Sequence, residues 1–214
     1  MKKKMLAAVM SVVMVVVCMT GCSKDLTRRA FEKTARKYGM REIDYIDSIM
    51  EERSKEPGAK GNSLYYSSKN AEEADALYYC FLHQGFKDFP KIQLQEFTMC
   101  FDNRVYTMEN GDHFLQSEIY WVTASDKKAA IELYEELAKF CKVDNCAYGE
   151  ENGYNYSIRL VGGTEIQMLL GVYIKDNTVI YMRSGSEVAG DGGCAHFFCK
   201  KLGLVSPLTL KDNE

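Results

Sequence analysis

Two stretches of this chain repeat one another at a fixed offset, and that repetition constrains the fold more than any single motif. Residues 64–81 (LYYSSKNAEEADALYYCF) align with residues 120–137 (YWVTASDKKAAIELYEEL) at an offset of 56. Tyr65 falls on Trp121, Asn70 on Asp126, Ala74 on Ala130, Leu77 on Leu133, Tyr78 on Tyr134 and Phe81 on Leu137. In each copy a short β-prone run precedes Ser, Asn or Asp residues suited to a helix N-cap, and apolar positions then follow at helical spacing. The pattern predicts a strand and then a helix, twice. At the same offset a strand over 92–102 (IQLQEFTMCFD) falls near 148–158, where the alternation of Tyr154, Tyr156, Ile158 and Leu160 begins. The repeat therefore covers about 64–102 and 120–161.

The rest of the chain fills in around these copies. Residues 24–53 read as helical, with Phe31, Ala35 and Tyr38 in phase, a break at Gly39, and Ile43, Ile46, Ile49 and Met50 resuming. Residues 55–62 (KEPGAKGN) form a turn-rich connector. Strands are expected over 114–123, 165–174 and 179–183, the last two joined by the hairpin turn Lys175-Asp176-Asn177-Thr178. A final helix runs from about Cys194 to Leu202 and stops at Gly203. Two β-α-β units joined by a strand resemble a ferredoxin-like split motif. The expected class is α+β: an antiparallel or mixed sheet with helices on one face, plus N-terminal and C-terminal helices. The expected divisions are a leader over 1–21, a helical segment and connector over 22–62, and one α+β domain over 63–214.

The two repeat helices differ on one face. The second carries Glu132, Glu135, Glu136 and Lys139, an ordinary solvated set, where the first has Ala76, Tyr79, Cys80 and His83. The less polar face is expected to be covered, with the N-terminal or C-terminal helix as the simplest cover and a partner protein as the alternative.

Chemistry at the N-terminus is more specific. Met1-Lys2-Lys3-Lys4, an apolar run over 5–19 and then Thr20-Gly21-Cys22 follow the layout of a secretory leader. The apolar run is shorter than the roughly 20 residues a spanning helix needs. Met19-Thr20-Gly21-Cys22 resembles the lipobox of bacterial lipoproteins, with Met in place of the commoner Leu. That resemblance implies that Cys22 receives a diacylglyceryl group and becomes the mature N-terminus, whereas Cys18, after Val17, is a poor alternative. Two acyl chains give stable anchoring. An uncleaved anchor helix is the other reading, and in both the domain lies on the extracytoplasmic face of the membrane.

The whole chain has 27 basic and 30 acidic side chains. Without Lys2, Lys3 and Lys4 the balance is 24 against 30, near −6, which argues against a nucleic-acid partner. Six cysteines follow the lipid cysteine: Cys80, Cys100, Cys141, Cys146, Cys194 and Cys199. In an oxidising compartment they read as disulfides of unresolved pairing, with Cys141–Cys146 and Cys194–Cys199 the first local pairs to test. In a strict anaerobe they read as buried thiols.

Candidate reactive groups are few. Cys194 follows Gly190-Asp191-Gly192-Gly193 at a helix start, where a lowered thiol pKa would suit a nucleophile. His196 points to a different helix face, however, and His83 and His113 lie far upstream. Neither the Cys194-Ala-His196-Phe-Phe-Cys199 run nor the glycines before it match a zinc site or a phosphate loop, so no metal or cofactor is expected. The acid pairs Glu72-Glu73 and Glu135-Glu136 lie on helices, where exposed acids are common. The 14 tyrosines, including Tyr65-Tyr66, Tyr120-Trp121 and Tyr154-Tyr156 on strands, suit a peptide or carbohydrate surface, with about half expected in the core.

The lipobox, the helical region around residues 31–45 and the strand–turn–strand GVYIKDNTVIYMR over 171–183 together resemble small surface lipoproteins of low-GC gut bacteria. The resemblance brings no activity with it. The expected function is non-catalytic: a membrane-anchored domain that binds a protein, peptide or glycan. The alternative is an envelope enzyme using Cys194 with a histidine supplied by the fold.

Overall fold

Unbroken apolar runs such as Phe97-Thr-Met-Cys-Phe101, Tyr120-Trp-Val122 and Val179-Ile-Tyr-Met182 dictate strands that need cover on both faces. The computed structural model describes residues 26–54, 62–82, 90–108, 111–162, 166–187 and 192–213; of 104–108, 111–115, 187 and 211–213 it describes the backbone alone. The strands are β1 (Arg41–Glu42), β2 (Ser63–Ser67), β3 (Leu94–Met108), β4 (Gly111–Ala124), β5 (Cys146–Glu151), β6 (Tyr154–Val161), β7 (Ile166–Lys175) and β8 (Thr178–Glu187). The helices are α1 (Arg28–Tyr38), α2 (Asp47–Arg53), α3 (Ala71–Phe81), α4 (Lys127–Ala138) and α5 (Gly193–Leu202), with a closing 3-10 turn at Pro207–Asn213. All eight strands form one mixed sheet in the order β1-β2-β3-β4-β8-β7-β6-β5. β1 runs parallel to β2, and every other adjacent pair is antiparallel.

Helices lie on both faces of this sheet, not on one as expected. One face packs Met99, Tyr120, Val122, Val172 and Val179 against Ile49 of α2, Leu77 of α3 and Leu133 of α4. The opposite face packs Cys100, Ile119, Trp121, Leu169, Tyr173 and Ile180 against Phe31 of α1, Phe198 of α5 and Leu210 of the 3-10 turn. The reason is legible in β7, where Leu169 to Ile174 are buried without a break. Such a strand has no wet side.

The α+β class holds, but the ferredoxin-like arrangement of two β-α-β repeats does not. In the first copy β3, the strand after the helix, pairs directly with β2. In the second, β5 lies at the far edge, with β8, β7 and β6 between it and β4. The shared pattern is local. Asn70 and Asp126, equivalent in the alignment, both cap their helices, each accepting from a backbone N–H three residues on at 2.9 Å.

The segment before residue 62 is part of the same body. β1 pairs with β2, and Phe31 lies between Trp121 and Phe198, its ring 5.7 and 5.2 Å from theirs. α1 ends where the sequence places the break, with Gly39 at φ 100°. The Glu52 carboxylate accepts from both the backbone and side-chain N–H of Asn62 (2.7 and 2.8 Å), tying the two ends of the connector together. The N-terminal segment does not cover the weakly polar face of α3. Ala76, Tyr79 and Cys80 are exposed.

Candidate functional site

The sheet is wider than its helical cover at one end. α4 lies over β4, β8 and β7. The β5–β6 hairpin continues past it, so Tyr148, Glu150 and Asn155 on the α4 side meet solvent while Ser157 is buried against α4. The hairpin closes through Asn152 and Gly153, with φ of 55° and 76°, the two positive values that a tight two-residue turn demands. Arg159 of β6 fixes the approach to β5, donating to the carbonyls of Asp144 (3.2 Å) and Phe140 (3.4 Å).

Between α4 and this overhanging hairpin runs an open groove of about 480 Å³. Its floor includes Tyr148, Asn155 and Ser157, and its α4 wall is Ile131, Tyr134 and Glu135. Tyr134 Oη and Ser157 Oγ lie 3.2 Å apart, joining wall to floor. Burial raises the Tyr134 phenol above its ordinary pKa, with the Ser157 contact opposing the shift. Lys142 stands where the chain leaves α4 for β5, whereas Lys127 and Lys175 stand at the other end with Asp176. That end is held by the β7–β8 turn: Asn177 donates from Nδ2 to the Ala124 carbonyl and accepts from the Ala124 N–H on its own carbonyl. Three lysines against two carboxylates give the lining a positive balance in a chain of net charge −3.

Tyr148 is 71% exposed. The other strand aromatics expected to divide between core and surface do not: Tyr65, Tyr66, Tyr120, Trp121 and Tyr154 are all buried, because both faces carry helices. Tyr156 is half-buried, its side chain packed against the α1/α5 face. The best-placed aromatic was therefore one that its sequence context did not single out. Its signal was Glu151-Asn152-Gly153-Tyr154, a tight-turn dipeptide that splits the expected strand near 148–158 into two.

The cysteines stand as thiols, none bridged to another among the described residues. Cys194–Cys199 is excluded as a local disulfide by the helix that carries both: five residues of α-helix separate them by roughly 7.5 Å along the axis, beyond the reach of a disulfide. Cys141 is buried and Cys146 half-buried near it; burial pushes the Cys141 thiol up to about 12, with Arg159 opposing the shift. Cys100 and Cys199 are buried on the α1/α5 face, and Cys80 is exposed on α3.

Cys194 is 1% exposed. His196 directs Nδ1 to Ser206 Oγ at 2.9 Å. His83 and the side chain of His113 lie outside the described residues, as does Cys22. Gly192 before Cys194 has a packing cause: at φ 82°, a Cβ there would sit 2.2 Å from Leu208 Cδ1 and 2.6 Å from His196 Cβ. Among the described residues no group of three or more His, Cys, Asp or Glu could hold a metal ion, and no helix is long and apolar enough to cross a membrane.

No protein-family model matches the chain, and no curated protein or solved structure matches it either, so its function is argued from its own residues.

Proposed function

We propose that this chain is an extracytoplasmic lipoprotein, held to the membrane by lipid on Cys22, whose domain binds a ligand in the groove between α4 and the β5–β6 hairpin. The observation that carries the binding reading is the exposed Tyr148 beside that groove, in a sheet where Tyr65, Tyr66, Tyr120, Trp121 and Tyr154 are used as core. An aromatic face next to hydroxyl, amide and ammonium groups is the mixed lining that recognises a peptide or glycan. Catalysis by Cys194 has less support, since a nucleophile must reach its substrate and this thiol is buried.

Two measurements test the proposal separately. Metabolic labelling with a radioactive fatty acid should mark the wild-type chain and not Cys22→Ala; equal labelling of both would remove the anchor. For the groove, the full chain is applied to arrays of cell-wall glycans, mucin glycans and peptides. Binding should be lost in both Tyr148→Ala and Ile131→Glu and retained in Tyr45→Ala, which alters an exposed tyrosine outside the groove. Binding that survives both groove substitutions would overturn the site.

A further inference from the structure

Resting on that groove, we infer that the ligand is an extended peptide that adds to the sheet as a ninth strand along the open edge of β5. Hydrogen-bond phase within the hairpin is the first reason. In an antiparallel pair, opposed residues alternate between bonded and non-bonded positions. The Leu160 N–H donates to the Asn145 carbonyl at 3.1 Å, which makes Asn145 and Leu160 a bonded pair. The register continues without a bulge from Cys146↔Arg159 to Glu151↔Tyr154, where the two-residue turn again requires a bonded pair. Ala147 and Gly149 therefore spend their backbone groups on β6. Cys146, Tyr148 and Glu150 aim theirs at the open edge.

The same three residues direct their side chains to the α4 side, since Tyr148 lies opposite Ser157 of the groove floor. A strand docked about 4.8 Å beyond β5 would satisfy the unpaired N–H and C=O groups and place alternate side chains beside Tyr148. Exposed edges are commonly blunted by proline, inward-facing lysine, a bulge or shortness; β5 has six residues and none of the other devices.

Charge selects against carboxylates opposite Glu150 and Glu151, the charged side chains of β5.

The probe is an immobilised library of end-blocked decapeptides with randomised residues at every position, screened with the full chain. The expected result is binding that falls about tenfold when the selected peptide is N-methylated on one set of alternate residues and little when the other set is methylated, since only one set faces β5. On the protein, Glu150→Pro should weaken binding to a similar degree, because it deletes an outward N–H while sparing the bonds to β6, whereas Glu150→Ala should not. Should Glu150→Pro fail to fold, the two methylated peptides decide alone. Equal loss from both methylation patterns, or equal binding by the proline and alanine variants, would overturn strand addition. So would an empty library screen alongside glycan binding that Tyr148→Ala abolishes, a result that leaves the groove standing. A dimer formed through β5, seen by sedimentation and lost in Glu150→Pro with no peptide bound, would also overturn it.

Discussion

The two edges of the sheet have opposite treatment. At one end β1 is two residues long, and its Glu42 joins Arg36 and Tyr65 in a closed set: Arg36 Nη1 donates to Tyr65 Oη at 2.6 Å, and Tyr65 Oη donates to Glu42 at 2.5 Å. Burial raises the Tyr65 phenol to about 12, with its contact to Glu42 adding to the shift and Arg36 opposing it. α1 lies behind, docked on α5 through Phe31 and Phe198. At the other end β5 is three times as long, carries no helix on its α4 side and leaves Tyr148 in solvent. A chain that blunts one edge and leaves the other longer and exposed keeps a liability that folding does not need. The closed end serves stability; the open end is where the proposed binding site lies.

Substitutions at the closed end should cost stability, and those at the open end should not. The largest effect is expected from Phe31→Ala, which empties a fully buried site between Trp121 and Phe198 and should cost about 3–5 kcal/mol in denaturant unfolding. A cost below about 1 kcal/mol would mean that α1 is not docked there. Tyr65→Phe should cost about 1 kcal/mol by removing the hydroxyl that links Arg36 to Glu42.

A pH-dependent effect comes next. Asp102 of β3 is buried beneath Tyr38 and Ser63, and burial raises its carboxyl above the ordinary value, against the Ser63 hydrogen bond. The native state then holds this proton more tightly than the unfolded one. Its contribution is fully present below the unfolded carboxylate pKa and is lost as pH rises through the native value. Asp102→Asn should flatten that part of the stability profile from pH 4 upward, measured by urea unfolding at stepped pH. An unchanged profile would reassign the titration. Smallest of all, Tyr148→Ala should change stability by no more than about 0.5 kcal/mol while removing ligand binding.

Much of the local structure was legible because it depends on near neighbours. Asn70 and Asp126 cap the helices that the repeat predicts, Gly39 and Gly203 end theirs, and Asp176-Asn177 turns β7 into β8. The arrangement was not legible, because strand order is decided by long-range pairing. The same strand–cap–helix pattern precedes a strand that returns to its neighbour in one copy and crosses to the far edge in the other. The buried run Leu169 to Ile174 is apolar enough to need cover on both sides, and Asn152-Gly153 suits a tight turn, yet the expected fold had helices on one face and one strand near 148–158. The groove followed from neither. Tyr148 is exposed only because β5 is last in the sheet and α4 stops short of it.

The most direct test of the open edge is residue-resolved amide hydrogen exchange on β5. In the chain without ligand, the amides of Cys146, Tyr148 and Glu150 should exchange rapidly and those of Ala147 and Gly149 slowly, and a bound ligand strand should protect the fast set. Uniform protection along β5 in the unliganded monomer would contradict the account, because that edge would then already be covered.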